Sequence, residues 1–586
     1  MRGFQPVRHE RELRSILNAI ERLPADAELD GSALDPILRK YPRDGKGFFS
    51  RSELIAGFEH LREREGLGHD AEDLARRLRL RPVRTRSGVT PLTVLTQPYP
   101  CPGRCVFCPN DVRMPKSYLA DEPGAQRAAA NRFDPYLQAW NRLDAYRAIG
   151  HPTDKVELIV LGGTWSFYPE PYQVWFATRL FEALNDFGAG LDRRAEAWRS
   201  APDFAQLPAP LDGRRLEQSY NQVVSGFLDR HGAGVASGDA DWRALARVQR
   251  ANETAGSRSV GLVLETRPDH VDEAEVLRLR RLGCTKVQVG IQSLSDEVLR
   301  ANRRGHDVAA TRQALGLLRR AGFKIHAHWM PNLLAATPAA DGEDFGRLFD
   351  DPAFRPDELK IYPCSLVESA ELMTHFESGH WRPYTHNELL DVLVAALAAV
   401  PRYCRVTRVI RDISSDDIVV GNKLTNFREV AERALAERGG ACVDIRSREI
   451  GARSFTDADL ELGVMEYETD TGRELFLELA TREDRLAGFA RLSLPAAPSF
   501  VEELGASALL REVHVYGPSL AIGASAGADA QHRGLGARLV RETARRAGGA
   551  GYRNLAVISA VGTRPYYRRL GFRDGELYQH LAVGEG

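Results

Sequence analysis

The chain has 586 residues, 43% hydrophobic and 27% charged, with a formal net charge of −1; this length implies several domains, and this balance a soluble globular protein rather than a disordered one. Its apolar runs fall short of the roughly 18 residues a membrane helix needs, and Met1-Arg-Gly-Phe-Gln-Pro-Val-Arg-His-Glu10 lacks the apolar stretch of a signal peptide, so a cytoplasmic protein without membrane contact is expected. Seven cysteines, odd in number and sparse, exclude a disulfide-stapled scaffold.

Leu13, Ile16, Leu17, Ile20 and Leu23 recur at helical spacing, which predicts a small helical region over residues 1–88. The region ends on Arg76, Arg77, Arg79, Arg81, Arg84 and Arg86, within eleven residues that contain no acid. Such a run suits phosphates, and equally a solvated helix face with a charged linker. Pro82, Pro91, Pro98 and Pro100 predict an extended approach to residue 101.

There the chain reads Cys101-Pro-Gly-Arg-Cys105-Val-Phe-Cys108. Three thiolates at this spacing can hold three irons of a 4Fe–4S cluster and leave the fourth iron open. A structural zinc site usually wants four ligands, and no neighbouring histidine or fourth cysteine supplies one; Cys284, Cys364, Cys404 and Cys442 stand singly and read as small buried hydrophobes. The loop resembles that of the radical-SAM enzymes. In these the open iron binds the amino and carboxylate groups of S-adenosylmethionine, and electron transfer then releases a carbon radical.

From residue 89 to 410, short apolar runs (93–96, 156–161, 260–264, 286–290, 324–328 and 358–361) alternate with amphipathic helices such as 274–282 and 307–321. Alternation of this kind predicts a parallel sheet, and six repeats suit a partial TIM-like barrel whose functional groups gather at the strands' C-terminal ends. Gly162 and Gly163 end the second strand, where a bare backbone admits a ligand closely or simply turns into a helix; Lys155, just ahead of that run, is also assigned to cofactor binding. Glu265 suits ribose hydroxyls and Arg267 a carboxylate. Gln288 and Gln292 fall near the mouth. His326 and His328 alternate and so share a face, as a cofactor contact at His328 or as a structural pair. Lys360 shares a face with Tyr362 and is assigned a catalytic role toward a thioester or phosphate.

Residues 190–255 are polar and charged and read as an insertion outside the catalytic core, and 411–455 as a connector. From 456 to 586 the chain is strand-rich (475–479, 486–494, 509–515, 554–559) with one strong helix over 534–547, a second α/β domain. Ahead of that helix stand Gln531, His532, Arg533, Gly534, Leu535, Gly536 and Ala537, whose glycines leave backbone N–H groups free at a helix N-terminus to cradle a pyrophosphate. Tyr566 and Tyr567 precede Gly571-Phe572. The two motifs together resemble the coenzyme A loop and the catalytic tyrosine of the GNAT acyltransferases. That resemblance implies acetyl-CoA at 531–537 and a tyrosine that protonates the leaving thiolate or positions the thioester; by composition alone the tyrosines read as aromatic core.

A radical-SAM barrel joined to a GNAT domain resembles the catalytic subunit of the Elongator complex in its bacterial, stand-alone form. The likeness runs through Arg81-Pro-Val-Arg-Thr85, Arg132-Phe-Asp-Pro-Tyr-Leu-Gln138, Phe354-Arg-Pro-Asp357, Lys360-Ile-Tyr-Pro363 and Arg511-Glu-Val-His-Val-Tyr-Gly517. It implies an α/β fold with a small helical N-terminal region, a partial barrel and a C-terminal GNAT domain. It also implies an enzyme that uses a 4Fe–4S cluster, S-adenosylmethionine and acetyl-CoA to build a carboxymethyl group at C5 of the wobble uridine. The implied partner is a tRNA anticodon stem-loop, gripped by the arginine run, with the target base splayed out; a homodimer is compatible, and no accessory subunit is required. Relatives commonly continue the third cysteine as Cys-Pro-Gly-Gly, whereas this chain has Cys108-Pro-Asn-Asp111. The competing readings are a protein lysine acetyltransferase with the barrel as scaffold, and a non-catalytic tRNA-binding module.

Overall fold

The computed structural model describes residues 4–24, 29, 31–65, 74, 77–79, 85, 87–201, 219–231, 240–451, 455–516 and 534–584. Helices Glu10–Glu21, Gly31–Lys40 and Arg51–Glu65 close a core of their own, with Leu13, Ile16, Leu17 and Ile20 packed against Leu54, Phe58 and Leu78.

The first sheet has seven parallel strands in the order β1-β2-β3-β4-β5-β6-β8: β1 Thr90–Leu95, β2 Lys155–Leu161, β3 Arg258–Thr266, β4 Lys286–Gln292, β5 Lys324–Trp329, β6 Glu358–Ile361 and β8 Arg405–Arg408. The outer edges β1 and β8 are not paired with each other, so the barrel stays open along one side. The crossover helices begin on side-chain caps, Asp272 on Glu273–Arg281, Asp307 on Val308–Arg320 and Thr337 on Pro338–Asp350, each satisfying an orphan N–H of the first turn. One face of the sheet is apolar: Leu158, Leu262, Leu264, Val287, Val289, Ile325 and Leu359 pack with the helices in one core. The alternate positions, among them Lys286, Gln288, His326, His328, Glu358 and Lys360, form the concave face. Barrel interiors are ordinarily filled by branched aliphatic side chains; this lumen is polar along its length.

The strand β8 was not expected, because a four-residue run of Arg-Val-Thr-Arg carries one buried apolar side chain and no readable period. Within 190–255 the helix Trp242–Asn252 is part of the barrel's outer layer, with Asn252 bonding Ser257 O and Ser259 N ahead of and within β3. In the connector, β9 (Ile418–Val420) pairs with β7 (Leu366–Val367), and helix Phe427–Glu437 packs on the barrel core.

The second sheet runs β10-β11-β12-β13-β14-β16-β15, from β10 (Glu461–Thr469), β11 (Gly472–Ala480), β12 (Leu486–Pro495), β13 (Ala508–Val515), β14 (Asn554–Val557), β15 (Arg573–Asp574) and β16 (Gln579–Ala582). Its one parallel pair, β13 with β14, is bonded only over Ala508, Leu509 and Leu510. Beyond Leu510 the two strands part, and the later residues of β13 face a gap in the sheet.

The two sheets are bolted together by buried charges. Arg511 and Asp357 are both 0% exposed and ion-paired, and Arg511 also binds Glu474 at 2.9 Å and Phe323 O at 2.8 Å. Arg491 bridges Glu512 at 2.8 Å and Asp357 at 3.4 Å, while Lys324 pairs with Glu512 and with Glu358. Arg280 reaches from a barrel helix to Leu577 O and Ser559 O. Among the described residues no helix is long and apolar enough to cross a membrane.

Candidate functional site

The cysteine loop leaves the C-terminal end of β1, at the mouth of the barrel. Cys105 and Cys108 are buried and Cys101 is partly exposed, all three as free thiols. Cys108 hydrogen-bonds Cys105, and this bond, with the Arg304 and Arg267 guanidiniums, outweighs burial and holds the Cys105 thiol well below its ordinary range. Arg304 Nη1 lies 3.2 Å from Cys105 Sγ. Cys101 is fixed through its backbone: Asn221 Oδ1 accepts from Cys101 N at 2.9 Å and Asn221 Nδ2 donates to Cys101 O at 2.8 Å. Asn221 belongs to helix Tyr220–His231, so the segment expected as an excursion clamps the loop. After Cys108, Asn110 is tied to Ser369 and Asp111 to Arg113 at 2.8 Å, so the two residues that depart from the usual continuation anchor the loop's exit.

Among the described residues no three His, Cys, Asp or Glu side chains are gathered around one point as a mononuclear cage. The thiols are strung along the loop instead. Soft sulfur donors spaced in this way fit a cluster that takes each thiolate on a different iron, and the neighbouring Arg267 Nη1 is buried without a hydrogen-bond partner. The other cysteines sit elsewhere, and burial pushes the Cys284 and Cys364 thiols up to about 12.

Around the mouth, Gly162 and Gly163 have φ of 133° and 154°, and a Cβ on Gly162 would come within 2.2 Å of Thr96 Oγ1; only glycine fits there. Glu265 lies 3.7 Å from His328 Nδ1, and burial pushes its carboxyl up. Arg267 is held by Asp269 at 2.8 and 2.9 Å. Gln288 Oε1 accepts from Lys360 Nζ at 2.6 Å and lies 3.2 Å from His328 Nε2. Burial pushes the Lys360 ammonium down to about 8, and burial beside Lys360 takes the His328 imidazole well below its usual range. Gln292 has φ 65° and a buried Oε1 without a partner. The structure thus brings Glu265, Gln288, His328 and Lys360 together in the lumen and Arg267 beside the cysteines. Lys155 does not join them. It opens β2 at the N-terminal end, and in a parallel sheet that end is opposite the cysteine loop. Sequence reasoning missed Arg304, whose partner Cys105 is 199 residues away, and Asn221, 120 residues from Cys101.

In the second domain Gly534, at φ 96°, caps helix Leu535–Gly549, and Leu535 is buried beneath it. A Cβ on Gly536 would meet the Tyr566 hydroxyl at 2.6 Å, so Tyr566 lies against the first turn of the helix that also carries Ala537. Tyr567 packs edge-on against Tyr566 and Phe572. Gln531, His532 and Arg533 lie outside the described residues, as do Arg76, Arg81, Arg84 and Arg86. Arg77 donates to Leu23 O and Pro24 O and Arg79 Nε to Gly150 O at 2.9 Å. These two arginines tie the N-terminal helices together and to the barrel through those N–H groups.

A cavity of about 530 Å³ lies between the sheets. Every barrel strand contributes a residue from near its N-terminal end, as Pro91, Glu157, Val260, Lys286, Lys324, Glu358 and Arg405. The other wall is the gap between β13 and β14, with Glu512, His514, Ser559 and Tyr567. The gap in the second sheet therefore opens onto the barrel's N-terminal end, opposite the cysteine mouth. The five steps between the six residues of β5, at about 3.3 Å each, set the strand's two ends about 17 Å apart. His326 lies between, with Nδ1 3.4 Å from Glu358 and Nε2 2.9 Å from Thr407.

The Radical SAM superfamily model matches residues 234–333 and the Radical_SAM C-terminal domain model residues 356–437. The chain is 36% identical over 85% of its length to a tRNA uridine(34) acetyltransferase of Dehalococcoides mccartyi, 99% of which is covered. It is 33% identical to Elongator complex protein 3 of Danio rerio, with 86% of each chain covered. The solved structure of archaeal Methanocaldococcus infernus Elp3 with an N-terminal deletion superposes with a TM-score of 0.66 at 30% identity, over 85% of this chain and 99% of that one.

Proposed function

The chain belongs to the family of Elongator complex protein 3 and the tRNA uridine(34) acetyltransferases, and from that premise we propose that it modifies the wobble uridine of tRNA, adding a carboxymethyl group at C5 with S-adenosylmethionine and acetyl-CoA. The observation that carries this reading is the polar lumen, which runs from the three-cysteine loop to a chamber faced by the gap between β13 and β14. Cys101, Cys105 and Cys108 would hold the 4Fe–4S cluster, which with bound S-adenosylmethionine supplies a carbon-centred radical. C5 of uracil offers no strong nucleophile at neutral pH, which is why radical chemistry suits it.

The chain's own residues orient the reactants. Gly162 and Gly163 open the backbone at the mouth to an amino group, and Arg267 keeps one buried N–H to give. Glu265 and Gln288 accept from hydroxyls, and Lys360, with its ammonium near neutrality, holds an anion or releases it by losing a proton. Gly534 and Gly536 open the helix N-terminus to pyrophosphate, and Tyr567 faces the acyl end.

Full-length protein reconstituted without oxygen and given dithionite, S-adenosylmethionine, acetyl-CoA and tRNA is expected to form 5′-deoxyadenosine and a carboxymethylated uridine, read by nucleoside mass spectrometry. Acetylation of protein lysines without S-adenosylmethionine, and no change in the tRNA, would favour the scaffold reading instead.

A further inference from the structure

The chamber between the barrel and the second sheet holds an imidazole that, among the described residues, no ion pair or hydrogen bond uses. His514 lies on β13 beyond the point where β14 departs, on the same face as Glu512 and Tyr516. Its ring is stacked on Phe489 at 5.8 Å and lies 4.4 Å from Tyr516, and its Nε2 is buried without a partner. The charged neighbours in the chamber are committed: Lys286 to Glu157 and Glu358, Lys324 to Glu512, and Arg405 to Glu449 at 2.7 Å. Tyr567 reaches the same space from the far side of the gap.

We propose that His514 is the general base for cleavage of an acyl thioester in this chamber. The inference rests on the acetyl-CoA assignment above and goes beyond it by separating the acyl step from the cysteine mouth. The imidazole takes a proton from water as the water oxygen bonds to the acyl carbon. The C–S bond then breaks, and the leaving thiolate receives that proton back from the imidazolium. Water and thioester become carboxylic acid and thiol, with no oxidant or reductant required.

A base must be neutral to act. Burial lowers the His514 imidazole below its ordinary range; the carboxylates Glu512 and Glu449 oppose this, and the cations Lys324 and Arg405 add to it. Turnover should then be flat at neutral pH and fall on the acid side of about 6.5.

The test measures CoA release from acetyl-CoA in the presence of tRNA, with acetyl-CoA affinity measured separately by equilibrium dialysis, for wild type, His514→Gln and His514→Ala. Both variants are expected to bind acetyl-CoA as wild type does and to release CoA roughly 10²-fold more slowly. Added imidazole should partly restore His514→Ala, and the acid limb of the pH profile should vanish in both. CoA release within about threefold of wild type in a variant that binds acetyl-CoA overturns the proposal. Parallel loss of binding and turnover also overturns it, since His514 would then hold the fold or the ligand. If wild type itself binds no acetyl-CoA, the cofactor assignment fails as well, and the dialysis shows that separately.

Discussion

Cys105→Ala protein, reconstituted without oxygen, is expected to form neither 5′-deoxyadenosine nor modified uridine above background. The Cys105 thiol is held well below its ordinary range, with Cys108 bonded to it and Arg304 and Arg267 beside it. No other cysteine can stand in. Cys284 and Cys404 lie in the apolar core, Cys442 packs against it, Cys364 packs in a separate cluster, and burial raises all four thiols. Retained product in this variant, measured by chromatography and mass spectrometry of the same reaction, would show that the three-cysteine loop is not where the radical arises. In the proposed reaction acetyl-CoA binds at the second sheet, so retained binding in the variant is the control that it has folded.

The second large effect is on stability. Arg511→Met removes the guanidinium that Asp357 and Glu474 share at the seam between the sheets, where all three side chains are at most 1% exposed. Stranding buried carboxylates in this way is expected to cost about 3–5 kcal/mol, seen as a lower urea midpoint. Adding Asp357→Leu should recover part of the loss, because a buried ion pair replaced by apolar side chains is often close to neutral. A midpoint unchanged by Arg511→Met would mean that the seam carries no stability. Asp357 and two neighbouring carboxylates of the seam, Glu358 and Glu512, set an acid limit. Burial alone would raise Asp357, Glu358 and Glu512, but Arg511 and Arg491 at Asp357, Lys286 and Lys324 at Glu358, and Lys324 and Arg491 at Glu512 bring each below its ordinary value. Folded values below unfolded ones give stability that is complete above about pH 4 and is lost as the pH falls through the folded values. The seam is therefore expected to open on acidification.

What could be read from the sequence was local. The cysteine loop is eight residues long and needs no tertiary information, and the alternation of β2 through β6 is carried by side chains a few residues apart. The concave and convex faces also come from alternation, as at His326 and His328. Contacts across the chain were not legible: Arg304 with Cys105, Asn221 with the Cys101 backbone, and Asp357 with Arg511. Strands at exposed or polar edges were missed for a related reason. β8 is too short to show a period, and β10 is exposed along one face and only half-buried along most of the other, so neither carries the apolar signal that identifies a strand. Lys155 shows the same limit: its local sequence does not say which end of the barrel it serves, and the structure sets it at the N-terminal end, the end of the inter-sheet chamber and not of the cysteine loop. The direction in which the β13–β14 gap faces depends on how two sheets dock, which no motif encodes.

In the proposed reaction the acetyl methyl group and the S-adenosylmethionine-derived radical must meet within one chain, although the thioester chamber and the cysteine mouth lie at opposite ends of the barrel. Acetyl-CoA carrying a deuterated methyl group, supplied with unlabelled S-adenosylmethionine and tRNA under reducing, oxygen-free conditions, tests this most directly. Deuterium is expected in the 5′-deoxyadenosine that forms. Unlabelled 5′-deoxyadenosine produced alongside modified uridine would contradict the meeting of the two groups.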